Sequence, residues 1–165
     1  MTTPFENMPA HAKVWVYASD KILTPTQVNL IQEKAVPFIQ SWTAHSNQLK
    51  ATFAILHNCF LVFMVDESFN EISGCGIDKS VHLVKEIEAE TGLNLFNRLA
   101  IQVLDNDELT VYRKSNLLES IHQNLVSPLA KTFNNQVSTK QEFDTNWIIP
   151  IEKAWFYPKQ NILQN

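Results

Sequence analysis

The stretch Cys59-Phe-Leu-Val-Phe-Met-Val65 constrains the fold of this chain more than any other. Successive side chains of a strand point to opposite faces, so an unbroken apolar run leaves neither face for water. The run is far too short to cross a bilayer, which takes about 20 apolar residues. It predicts a central strand covered on both sides. Residues 51–56 (Ala-Thr-Phe-Ala-Ile-Leu) precede it across His57-Asn58, and this spacing predicts a β-hairpin.

Other segments supply the covering elements. Residues 13–17 (Lys-Val-Trp-Val-Tyr) read as a first strand, rich in β-branched and aromatic side chains. Thr24-Pro25-Thr26-Gln27 is a helix start, with Thr24 as cap, Pro25 at the first helical position and Gln27 closing a capping box. Val28, Ile31, Ala35, Phe38 and Trp42 then recur at intervals of three and four, one buried helical face. Pro37 lies inside that pattern and is expected to kink the helix or end it early. Val81, Val84, Ile87 and Thr91 mark a second helix, stopped by Gly92.

Residues 99–104 and 109–113 flank an Asp-Asn-Asp-Glu turn and predict a second hairpin. Ser115 or Asn116 then caps a helix facing inward through Leu117, Leu118, Ile121 and Leu125. Thr139 and Glu142 have capping-box spacing, and residues 147–151 suit an edge strand ended by Pro150.

The order β-α-β-β-α-β-β-α predicts an α+β fold: a largely antiparallel sheet with helices on one face. Its first six elements match the ferredoxin-like βαββαβ order, followed by a C-terminal extension. The expected limits are a tail over 1–12, one domain over 13–157 and a tail over 158–165. A chain of 165 residues is long enough to bury a core without staples.

A net charge of -4, with the 13 lysines and arginines scattered, points away from a nucleic-acid partner. The first 13 residues lack the basic and apolar regions of a secretory signal. Two cysteines make neither a disulfide framework nor a zinc-type pair, so a cytoplasmic setting is expected, with no metal or cofactor. His57 and Cys59, two apart, have no second pair to complete a metal site.

Chemistry-bearing residues concentrate in 73–80, Ser-Gly-Cys-Gly-Ile-Asp-Lys-Ser, which holds two of three glycines and one of two cysteines. A phosphate-binding P-loop needs GxxxxGK[ST]. Aligning Lys79-Ser80 with its end puts Asp78 and Ser73 where the glycines belong, so the register fails. Gly74, Gly76 and free helix amides, with Lys79 and Ser80 beside them, still suit a small anion, unless Asp78 caps the helix and fills that place itself. Cys75, just before a helix start, is placed for a lowered thiol pKa, with His45 or His82 as base. Trp42 and His45, where the first helix ends, can line the same pocket.

Three readings follow. The first is a binding protein for a small anionic ligand or a partner, using Trp42, Gly74, Gly76, Asp78, Lys79 and Ser80. The second is a thiol-dependent enzyme with Cys75 as nucleophile and His45 as base. The third is an interaction subunit, such as a homodimer, assembling through a sheet edge or through Trp155-Phe156-Tyr157.

Residues 41–46 (Ser-Trp-Thr-Ala-His-Ser), 65–68 (Val-Asp-Glu-Ser) and 73–81 together resemble a small uncharacterised bacterial family whose members are labelled "ABC transporter ATPase". The resemblance runs from Trp15 to about Trp155, and Ser-Gly-Cys-x-Ile-Asp-Lys-Ser is its most specific part. The label implies ATP hydrolysis. The chain departs from that implication, since it has no Walker A motif, no LSGGQ-type signature and less length than a usual ATPase cassette. Val62-Phe-Met-Val-Asp66 is similar to the end of a Walker B strand but has no partner loop.

Overall fold

The computed structural model of the protein describes residues 5–44 and 46–159. Among these, two antiparallel sheets and four α-helices make an α+β fold. Strand β1 (Lys13–Ala18) leads into helix α1 (Pro25–Ser41). A two-residue pair, β2 (Thr43–Ala44) and β3 (Asn47–Gln48), precedes β4 (Lys50–Leu56) and β5 (Phe60–Asp66). Helix α2 (Gly74–Thr91) follows, then β6 (Ala100–Asp105), β7 (Glu108–Arg113) and helix α3 (Lys114–His122). Strand β8 (Lys131–Phe133), helix α4 (Lys140–Asn146) and strand β9 (Ile148–Pro150) complete the order.

The apolar run is the centre of the first sheet, whose order is β1-β5-β4. Every residue of β5 is buried. Leu61, Phe63 and Val65 face α1 and α2, packing with Ile31, Ala35, Ile39, Val84 and Ile87. Phe60, Val62 and Met64 face the other way, into a cluster with Val137, Phe143 and Trp147 to which Val111 and Phe133 of the second sheet contribute. Burying one such side chain contributes about 1.5–3 kcal/mol, so β5 holds both layers to itself.

The two hairpins have the turns their sequences predict. His57 and Asn58 adopt φ of 51° and 48°, and Asn106 and Asp107 adopt 50° and 63°. Positive φ at both central residues gives a turn whose twist matches paired strands, and Asn and Asp tolerate it. Asp105 pairs directly with Glu108, whereas Leu56 pairs with Phe60 and leaves Cys59 as a third loop residue. The capping box at Thr24 and Gln27 is formed, Thr139 caps α4, and Gly92 ends α2 at φ 74°.

A ferredoxin-like βαββαβ arrangement puts all its strands in one sheet; this chain divides them. Strand β6 pairs with β7 and β8 in a second sheet, ordered β7-β6-β8-β9. The physical reason is the second apolar face of β5, which needs a cover, and the second sheet provides it. The far face of that sheet carries Ile101 and Val103, packed under Leu117 of α3 and under Ile151, Ala154 and Phe156. Helices, sheet, sheet and helix thus stack in four layers.

Three local expectations are corrected. Helix α1 does not end early at Pro37 but runs through it to Ser41, because its buried face (Ile31, Ala35, Ile39) is fixed by packing while Pro37 lies on the exposed side. The carbonyl that Pro37 leaves without a donor is therefore within reach of water. Helix α3 begins at Lys114 after Arg113, with no side-chain cap from Ser115 or Asn116. The segment read as an N-terminal tail contributes Met8 and Ala12 to the second cluster, and Ala12 accepts from the Lys140 amide, so the folded domain starts before Lys13.

Candidate functional site

The stretch 73–80 is part of a helix, not a loop before one. Ser73 is the cap of α2, and its Oγ accepts from the Gly76 amide at 3.1 Å. Asp78 is therefore not the cap; it lies exposed in the second turn. Gly74 and Gly76 have ordinary negative φ, so no glycine-made concavity wraps an anion. Gly76 is buried and tightly fitted: a Cβ there would lie 3.0 Å from Ile72 Cγ1, whereas a Cβ on Gly74 would meet nothing within 4 Å.

The other residues expected at this site have structural employment. Trp42 is fully buried, and its Nε1–H donates to the Gly76 carbonyl at 2.9 Å, tying the end of α1 to the start of α2. Lys79 Nζ donates to Thr43, at 3.2 Å to Oγ1 and 3.4 Å to the carbonyl. Ser80 is buried, donates to the Ile77 carbonyl at 2.6 Å, and also meets the Tyr17 phenol. Burial pushes the Tyr17 pKa up, and this bond partly offsets the rise.

Cys75 is exposed in the first turn of α2. His45 lies outside the described residues. His82 is seven residues further along α2, about 10 Å by helical rise and beyond hydrogen-bond reach. The other cysteine, Cys59, is buried, and burial pushes its thiol up to about 12. No group of three or more metal-ligating side chains exists among the described residues, and no helix there is long and apolar enough to cross a membrane.

A second polar cluster escaped the sequence reading. Asp66 accepts from the Ser68 amide at 2.9 Å and from its hydroxyl at 2.6 Å, with Lys50 at 3.3 Å and His11 at 3.6 Å. Burial raises the Asp66 pKa, but the Ser68 and Lys50 contacts outweigh it and hold the carboxyl below its usual value. The Ser68 proton is committed to Asp66, and His11 Nε2 takes a further place on Ser68 Oγ at 2.9 Å. This arrangement anchors the end of β5.

A concave feature lies elsewhere among the described residues. A groove of about 760 Å³ runs beside the C-terminal half of β1, within the range of ligand sites. Residues 16–18 form one wall, and the second sheet forms another through Gln102 and Phe133. Phe96 and Trp155 stand at its rim, 43% and 77% exposed. Phe96 rests edge-on against Tyr17 at 5.4 Å, and Lys114 Nζ sits 4.9 Å from the Trp155 ring centroid. Both aromatics are thus held in place while facing water.

Charge in the groove is one-sided. Its lining includes Arg98 and Lys153 but no aspartate or glutamate. Both cations are exposed, and neither has an ion-pair partner among the described residues. Nothing in local sequence marks these positions, because they come from four separated segments. The one available signal was Trp155, an aromatic outside any buried pattern.

Comparison with protein-family models, with curated proteins and with solved structures found no match to this chain.

Proposed function

We propose that this protein is a binding protein, not a catalyst, and that its site is the groove beside β1, where it takes a negatively charged ligand or partner. The observation that carries the reading is the pair of unpartnered cations, Arg98 and Lys153, in a carboxylate-free groove on a chain of net charge -4. Opposite charge in a concave, partly desolvating site favours an anion and steers its approach. The stretch 73–80, by contrast, spends Trp42, Ser73, Lys79 and Ser80 on internal bonds. An exposed unpaired Cys75 and a buried thiol at Cys59 favour a reducing, cytoplasmic setting.

A titration with two anionic probes, citrate and tetraglutamate, tests this. Tryptophan emission reports binding through Trp155, and Trp155→Phe removes that signal as a control. Saturable binding that weakens about tenfold or more in the Arg98→Glu/Lys153→Glu protein is expected. The reading fails if neither probe binds, or if charge reversal leaves the affinity unchanged.

A further inference from the structure

The groove contains something a simple anion pocket does not need, an open length of strand edge. In an antiparallel pair, residues alternate between bonding the partner strand and pointing their backbone groups away from it. The Ser19 amide donates to Cys59 at 2.8 Å, which sets the alternation along β1. Tyr17, Trp15 and Lys13 then bond β5, and Val14, Val16 and Ala18 face outward. The Val14 amide confirms the phase, since it donates outward to the Ser138 carbonyl at 3.0 Å.

The outer edge of β1 is closed at its first half. Thr139 bridges Lys13, and the Lys140 amide reaches Ala12. Beyond the strand, the Ser19 carbonyl is taken by Gln102 Nε2 at 3.0 Å. Between these ends the amides and carbonyls of Val16 and Ala18 have no partner among the described residues, and both residues line the groove. Unpaired edge groups beside an aromatic rim are a template for another strand.

Resting on the groove reading above, we propose that the occupant is an extended peptide segment of a partner protein, carrying at least one carboxylate and adding to β1 as a new edge strand. Val16 and Ala18 exchange main-chain hydrogen bonds with the peptide, which fixes its register. Phe96 and Trp155 cover its apolar side chains, and Arg98 and Lys153 meet its acidic group. A small anion uses the cations alone and leaves the strand edge bare. A second copy of this chain docking edge to edge would instead show as a dimer.

The test uses the whole chain to select binders from a displayed random-heptapeptide library, followed by amide hydrogen exchange with a selected peptide. Selected peptides are expected to be enriched in Asp or Glu and in β-branched residues. On binding, exchange at Val16 and Ala18 slows at least tenfold, while Tyr17, already paired, changes little. Methylating alternate peptide nitrogens weakens binding about tenfold or more in one register and little in the other. Val16→Pro, which deletes one outward donor, weakens the peptide but not citrate.

The outcomes separate the two proposals. If selected peptides bind the charge-reversed protein equally well, the groove reading itself falls. If citrate binding is lost on charge reversal, yet no acidic peptide is selected or Val16 and Ala18 gain no protection, the groove stands and the strand is overturned. A concentration-dependent dimer that protects Val16 and Ala18 without peptide also overturns it. N-methylated peptides decide between strand and no strand even if Val16→Pro fails to fold.

Discussion

The start of α2 and the groove beside β1 make opposite use of their polar groups. At the start of α2, Ser73 caps the helix, the Trp42 indole holds Gly76, Lys79 holds Thr43 and Ser80 holds Ile77. In the groove, Arg98 and Lys153 lack ion pairs and two residues of strand edge lack partners among the described residues. The first region is rich in the residue types that do chemistry; the second is rich in interactions not yet made. Binding capacity follows the unsatisfied groups, so a glycine-flanked cysteine is a weaker pointer to function than an open strand edge.

Substitutions break this comparison most strongly at Trp42. Trp42→Ala is expected to cost about 3–5 kcal/mol of stability, because a large buried ring is lost. Trp42→Phe is expected to cost about 1–2 kcal/mol, chiefly by losing the indole bond to the Gly76 carbonyl, which keeps its helical partner. Urea unfolding measures both. Folded Trp42→Phe protein should bind tetraglutamate as well as the parent does. Loss of binding without loss of fold would move the site back to 73–80.

Charge reversal at Arg98 and Lys153 should show the converse pattern. Affinity falls while stability stays within about 0.5 kcal/mol, as for exposed side chains with no partners. A joint loss of stability and binding would mean that these residues hold the fold together.

The two thiols should differ as sharply. Cys75 reacts first with iodoacetamide in the native protein, and Cys59 reacts only on unfolding. Cys59 also sets a pH dependence. Its pKa is about 12 in the folded chain against 9.0 for a free thiol, so the folded state favours the neutral form. That contribution is complete below pH 9 and is lost as the pH rises from 9 towards 12. Cys59→Ala should remove part of the alkaline fall in unfolding free energy; an unchanged slope would count against the buried thiol.

A change of opposite sign distinguishes the two glycines. Gly74→Ala should stabilise α2 by a few tenths to about 1 kcal/mol, since its Cβ enters open space. Gly76→Ala should destabilise by about 1–3 kcal/mol, because its Cβ presses on Ile72. Equal effects would show that the start of α2 is not packed as described.

Much of this fold was legible in the chain. The unbroken apolar run fixed β5 at the centre with both faces covered, and Asn-containing turns placed both hairpins. Local chemistry of that kind depends on neighbours a few residues apart. The division into two sheets was not legible, because alternation says that a strand has a buried face but not which strand lies against it. Nor was the early start of α2: the eye goes to Asp78 as a cap, while Ser73 does the capping and two glycines enter the helix. The groove was least visible, since Val16, Arg98, Gln102 and Trp155 meet only through the packing of the two sheets.

A single measurement tests the placement of the site most directly: a backbone amide and indole chemical-shift map of the isotopically labelled protein, titrated with tetraglutamate. The largest shifts are expected at residues 16–18, 96–98 and 134–136 and at the Trp155 indole, while residues 73–80 stay still. Shifts concentrated at 73–80 and at the Trp42 indole, with the groove unchanged, would contradict this placement.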